Sequence, residues 1–339
     1  MPVSKRELAA LWSARTGFTT VLEHLPRRPL LMILNYHRIG NPEETPYDPG
    51  TFSATAEELD RQIACLKKRY EFVTLDEAVS LAAGRRPPRR AALLLTFDDG
   101  YRDNFTLAFP VLRSHGVQGV FFLPTYYVGT NRLPWWDVIA YVVKRSRTRE
   151  IRLRYPEPAV FHLDGEGLAA VLRRILLLFK QPAMKDTERF LAALEEACDA
   201  GRPDLSAERC FLDWREALEM QNGGMAFGSH THSHEILSKL DPGRQLEELT
   251  LSRRILESHL HRSIDTLAYP VGARHTFSNH TVTALRQAGY RCAFSQYGGC
   301  NRPGRTEPFN IQRRPVDQES IAYLRLQTAL GAATAKQWS

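Results

Sequence analysis

Two adjacent carboxylates, Asp98 and Asp99, close the apolar run Leu93-Leu94-Leu95-Thr96-Phe97 and are followed at once by Gly100. Apolar residues on both alternating faces predict a strand covered on both sides. Gly100 lets the backbone turn sharply behind it. Side by side, two carboxylates repel each other and resist burial in the ionised form. A nearby cation removes that cost; without one, the stretch reads as a solvated Asp-Asp-Gly turn. A second cluster far downstream favours the cation. His230, His232 and His234 follow the short apolar piece Met225-Ala226-Phe227 and Gly228-Ser229. The spacing of His230 and His234 can put both imidazoles on one side of a helical turn, with His232 pointing away. One carboxylate and two histidines leave coordination positions open for water and substrate, the arrangement of a catalytic metal. The residue types alone do not say which aspartate is ligand and which is base.

Thr96-Phe97-Asp98-Asp99-Gly100 and His230-Thr231-x-x-His234 resemble the first two motifs of the polysaccharide deacetylases, the NodB-homology or carbohydrate esterase 4 type. Ala268-Tyr269-Pro270-x-Gly272 is similar to the third motif in the poly-N-acetylglucosamine deacetylase branch, and Asn35-Tyr36-His37-Arg38 resembles a strand of that same branch. The resemblance implies a metal-dependent hydrolase that removes the acetyl group from an N-acetylated sugar, whether glycan, lipid-linked or small glycoside. It implies Asp99, His230 and His234 as ligands of one divalent metal, with zinc the expected ion. Asp98 is then the base on a metal-bound water and His37 the acid for the departing amine. A backbone N–H near Tyr269-Pro270 would hold the oxyanion. The family's usual Arg-x-Asp-Trp motif is absent. Arg313, in the last predicted strand, is the candidate to orient Asp98 in its place, and is counted with Tyr269, Pro270 and Trp135 among residues facing the substrate. Trp135 and Trp136 can stack on sugar rings or anchor packing. Rival readings are a hydrolase of another non-peptide C–N bond on the same metal, and a non-catalytic glycan-binding protein of this fold. The second of these predicts loss of a ligand or of the base, and all four residues are present.

Positioning these groups takes strands that end together. Short apolar strands are expected at Leu31–Tyr36, at the Asp-Asp run, and over 119–123, 225–228, 266–269, 292–295 and 309–313, alternating with helices. That alternation predicts an α/β fold with a parallel sheet. The seven strands fit the distorted (β/α)7 barrel that the resemblance implies, with a helical insertion. Helices are predicted over about 52–70 (capped by Thr51), 75–83, 104–114, 243–260 and 278–288. Residues 1–30 form a helical extension whose buried candidates are Leu8, Leu11, Trp12, Phe18 and Leu22. Its basic residues Lys5, Arg6, Arg15, Arg27 and Arg28 allow a membrane-surface helix instead. The catalytic domain spans 31–318 with an insertion at about 136–213, and 319–339 form a terminal helix or tail.

With 339 residues, 43% of them hydrophobic and 10% aromatic, the chain can bury a sizeable core. A net charge of +7 suits anionic partners. Six cations between Lys144 and Arg154 meet a single acid there, Glu150, either as a contact for an anionic glycan or lipid phosphate or as a solvated face. No zinc-finger or RNA-binding signature points to nucleic acid. Five scattered cysteines with no Cys-x-x-Cys pair suggest a reducing compartment. No signal peptide or membrane span is recognisable, so the expected location is cytoplasmic, with peripheral membrane contact allowed and oligomeric state open.

Overall fold

Runs that are apolar on both faces form the strands of one parallel sheet in a computed structural model, which describes residues 5–24, 30–86, 90–204, 209–297 and 299–334. The strands of this sheet are β1 (Leu31–Tyr36), β2 (Glu71–Phe72), β3 (Ala92–Asp98), β4 (Gly119–Leu123), β5 (Ala226–Ser229), β6 (Thr266–Ala268), β7 (Cys292–Ser295), β8 (Ile311–Gln312) and β9 (Arg314–Pro315). Their order is β8-β7-β6-β5-β4-β3-β1-β9, with β2 paired to β3. Every residue of β1, β3, β4 and β7 is buried, as the double-sided apolar pattern requires. Each large apolar side chain so covered is worth about 1.5–3 kcal/mol against exposure.

The two ends of that order are one residue apart in sequence. β8 pairs with β7 and β9 pairs with β1, so Arg313 between them bridges the gap and the sheet is a nearly closed barrel. With β8 and β9 taken as one interrupted strand and the short β2 set aside, seven strands surround the axis. Register brings Asn35 beside Thr96 and Asp98 beside Phe122. The functional groups therefore leave neighbouring strands at the same end.

Helix starts follow their caps. Thr74, Asp213 and Asp241 each accept from a backbone N–H three residues on. The expected helix over 52–70 is shorter: Phe52–Ala54 is a strand and Thr55, not Thr51, caps Ala56–Lys67 with a full capping box. Residues 104–114 start as a π-turn, Asn104–Ala108, before the α-helix Phe109–His115.

The chain divides into two compact units, one of residues 1–40, 52–129 and 211–339, the other of 41–51 and 130–210. The second unit packs helices Trp135–Lys144, Leu168–Lys180 and Thr187–Cys198 with an antiparallel hairpin, Glu150–Leu153 with Ala159–His162. In the N-terminal helices Leu8, Leu11, Trp12 and Phe18 are exposed, opposite to expectation, because Ala10, Ser13 and Thr19 occupy the inner face. Arg27 and Arg28 lie outside the described residues. No described helix is long and apolar enough to cross a membrane.

Candidate active site

Asp98 is the last residue of β3, and the chain then takes two left-handed residues in succession, Asp99 (φ 71°) and Gly100 (φ 70°). A Cβ on Gly100 would lie 2.6 Å from Leu123 Cδ2, so only glycine combines that φ with that approach. Asp99 bears a side chain in the same region and is held there against a preference of roughly 1 kcal/mol. Thr231 (φ 65°), His234 (φ 61°) and Val271 (φ 63°) share this conformation. Among the described residues, four of the seven non-glycine residues at positive φ thus belong to the segments that carry the candidate site.

Those turns bring Asp99, His230 and His234 together, all buried, with one ligand atom from each within 4.8 Å of the others. His230 and His234 do not share a helical turn. They sit on a loop after β5, and the left-handed residues Thr231 and His234 fold the second imidazole back over the first, with ring centroids 4.7 Å apart. Glu248, itself buried, holds this loop by accepting from the N–H groups of His232 (3.0 Å) and Ser233 (2.8 Å) and from the Ser233 hydroxyl. His232 is turned to Thr125, whose hydroxyl lies 2.8 Å from its Nδ1.

The chemistry of this donor set fits a cation. His230 Nδ1 lies 2.8 Å from the Ala268 carbonyl oxygen, which can only accept, so the ring proton is on Nδ1 and the Nε2 lone pair faces inward. That Nε2 is 3.5 Å from Asp99 Oδ1, and His234 Nε2 is 3.4 Å from the same oxygen. Asp99 Oδ1 is buried with no hydrogen-bond partner. Burial pushes the Asp99 carboxyl up, but the two imidazoles outweigh it and hold the group well below the usual carboxylate range. An ionised oxygen with no partner, facing two ring nitrogens, is what a divalent metal would satisfy.

Asp98 is held differently. Arg313 Nη1 donates to its Oδ1 at 2.7 Å and Nη2 to its Oδ2 at 2.8 Å, a bidentate pair in which neither side chain is more than 1% exposed. Burial raises the Asp98 carboxyl, and the charge and hydrogen bonds of Arg313 together with the neighbouring histidines more than reverse this, leaving it below its ordinary value. Asn35, which the sequence presents only within the Asn-Tyr-His-Arg motif, donates its amide to Asp98 Oδ2 (3.0 Å). Its carbonyl accepts from Arg313 (2.8 Å) and Thr96 (2.8 Å). A polar residue fully buried in Leu-Met-Ile-Leu-Asn-Tyr was the available signal. Glu248 gave none, being one acid of many on an ordinary helix.

His37 follows β1, is half-buried, and is among the groups that lower the Asp98 and Asp99 carboxyls. Its backbone is fixed on both sides: the N–H donates to Ser53 Oγ (3.0 Å) and the carbonyl accepts from Asn104 (2.8 Å), the first residue of the π-turn. Other expectations need correction. The Tyr269 N–H donates to Phe294 O (3.0 Å) in the barrel, its hydroxyl donates to Phe309 O (2.9 Å), and its ring stacks on Phe277. Pro270 has no N–H, and its carbonyl closes a tight turn with the Gly272 N–H at 2.7 Å. Neither residue supplies the expected oxyanion donor. Trp135 packs in the core of the second unit, its ring 4.1 Å from Phe179, rather than facing a sugar. Arg313, fully buried on Asp98, has no surface for substrate.

Residues 85–154 and 158–293 match the model of the family described as polysaccharide deacetylase. YxkH of Bacillus subtilis, a protein whose name likewise includes polysaccharide deacetylase, is 22% identical over 274 residues, covering 81% of this chain and 65% of its own. The chain therefore spans just under two thirds of that relative. Two solved structures share the fold. IcaB from Ammonifex degensii has a TM-score of 0.58 at 22% identity, with 90% of this chain and 99% of that one covered. The Streptococcus pyogenes deacetylase PplD, solved with acetate, has a TM-score of 0.57 at 18% identity over 88% and 97%.

Proposed function

The chain belongs to the polysaccharide deacetylase family, and on that premise we propose that it hydrolyses the N-acetyl group of an N-acetylated carbohydrate with one bound divalent metal. The observation that carries this reading is the division of labour between adjacent aspartates. Asp98 is locked to a buried arginine, whereas Asp99 faces two imidazoles with an oxygen left over. Asp99, His230 and His234 would hold the metal, and their one-carboxylate, two-imidazole set suits zinc. When bound, the metal supplies acidification of water and polarisation of the acetyl carbonyl.

The rest falls to the chain's own side chains. Asp98 is ionised and takes the proton of the attacking water. Its Oδ2 already receives Arg313 and Asn35 while Oδ1 receives Arg313 alone, so by lone-pair count Oδ1 is the proton acceptor. Arg313 and Asn35 keep the carboxylate from rotating. His37 gives its proton to the departing amine, from the end of a strand paired directly with that of Asp98. The test is release of free acetate from N-acetylglucosamine oligomers by zinc-loaded protein. Acetate released by the wild type and not by Asp98→Asn supports the reading. Acetate at equal rates from both, or from neither while an N-formyl or cyclic amide is cleaved, overturns it.

A further inference from the structure

Residues 5–24 fold with their small and polar groups inward and their large apolar groups outward. In the helices Lys5–Arg15 and Phe18–His24 the buried residues are Ala10, Ser13 and Thr19, and the last two share a hydrogen bond of 2.8 Å. Trp12 is 67% exposed and Val21 60%, with Leu8, Phe18 and Leu11 at 55%, 51% and 40%. These are five of the nine large hydrophobic residues that are exposed among all described residues. In the first helix Lys5, Leu8, Trp12 and Arg15 recur at steps of three and four and so lie along one face.

Charge is sorted in the same sense. Glu7 accepts from the Ser320 N–H (3.1 Å) and hydroxyl, and Glu23 pairs with Arg69 (2.8 Å) and Arg325 (2.7 Å). Both acids of the two helices are thus engaged by residues elsewhere in the chain, while Lys5, Arg6 and Arg15 are exposed. Exposed apolar side chains with exposed cations beside them in the same helices match an anionic lipid surface, with apolar side chains at the headgroup boundary and cations on lipid phosphates. Tryptophan favours that boundary because its ring is amphipathic. The charges argue against a second copy as the occupant, since a two-fold contact would set these cations against themselves. We propose that the face bearing Leu8, Trp12 and Phe18 docks the protein on the surface of an anionic bilayer without spanning it.

The test is flotation of the full chain with vesicles of phosphatidylcholine and phosphatidylglycerol, against vesicles of phosphatidylcholine alone. The wild type should float with the mixed vesicles, and raised salt should weaken this. A Leu8→Ser, Trp12→Ser, Phe18→Ser variant should bind them at least ~tenfold less, as loss of most of the apolar anchor requires. Its circular dichroism should be unchanged, because these side chains are already exposed. Lys5→Glu with Arg15→Glu should abolish the preference for the mixed vesicles. The proposal is overturned if the wild type stays unbound, if the triple-serine variant floats equally well, or if that variant merely converts a dimer to a monomer.

Discussion

The two units both bury stacked aromatic rings but differ in where they put most of their charge. In the barrel unit the polar groups that matter are buried: Asp98, Asp99, His230, His234, Asn35 and Arg313 all lie at 5% exposure or less. In the second unit the core is apolar apart from buried Asp137, with the Phe179 ring against both Trp135 and Phe190. There the arginines lie outside, with Arg149 pairing with Asp164 and Arg152 with Glu150. Of the six cations between 144 and 154, Arg147 and Arg149 pair with acids distant in sequence, Asp199 and Asp164, and Arg152 with Glu150 beside it. Exposed pairs of this kind are worth about 0–1 kcal/mol. A buried bidentate pair is different, because removing one partner strands a charge. Where a charge is buried at a cost, it should govern activity, and where it is solvated it should govern little.

The largest break of this contrast is at the metal ligands. His230→Ala with His234→Ala should abolish both metal binding and turnover, with metal content read by atomic emission. Next, Asp98→Asn should keep the metal but lower turnover by about two to four orders of magnitude, the usual span for a general base. His37→Ala should cripple hydrolysis of an N-acetyl amine by ~10² or more but spare an acetyl ester whose phenolate leaves without a proton. Equal losses on both substrates would remove His37 as the acid.

Stability changes come after these. Arg313→Met should cost about 3–5 kcal/mol because Asp98 stays buried without its partner, measurable by urea unfolding. The pH dependence has a definite sign. Asp98 titrates lower in the folded protein than in the unfolded chain, so its pairing stabilises the fold above the ordinary carboxylate range. That stability is lost as pH falls through the folded value. In Arg313→Met burial without the arginine should favour the protonated carboxyl, so this acid-side loss should shrink or reverse and the variant's deficit should be largest at neutral pH. Trp135→Ala should cost a similar ~3–5 kcal/mol from the second core while leaving kcat unchanged, which separates packing from sugar stacking. The smallest effect is expected for Arg149→Ala, within about 0.5 kcal/mol and with no change in turnover.

Much of the barrel could be read from patterning, since strands buried on both faces announce themselves as apolar runs. β7 was anticipated residue for residue, and β5 to within one at each end. That the Asp-Asp pair and the histidines converge was legible from their residue types, but the choice of Asp99 came from the family resemblance, and the expected helical turn is a loop. What sequence hid was long-range pairing. Arg313 at Asp98 was expected, but nothing local tells that it closes a ring of strands to get there, or that Glu248 clamps the histidine loop from a helix. Nor could periodicity orient the N-terminal helices: a stripe of Leu, Trp and Phe marks one face without saying whether protein, water or lipid lies against it. The turn at Tyr269 misled because a tyrosine beside proline looks available, whereas its amide and hydroxyl are both used by the barrel.

The central claim, that neighbouring aspartates divide into a metal ligand and a base, meets its most direct test in a zinc titration of chelator-stripped protein. Bound zinc and acetate release from an N-acetylglucosamine oligomer would be followed together. Wild type and Asp98→Asn should both take up one zinc per chain, and only the wild type should recover acetate release, with the variant at least ~100-fold slower. Asp98→Asn failing to bind zinc, or stripped wild type releasing acetate at the full rate, would contradict the assignment.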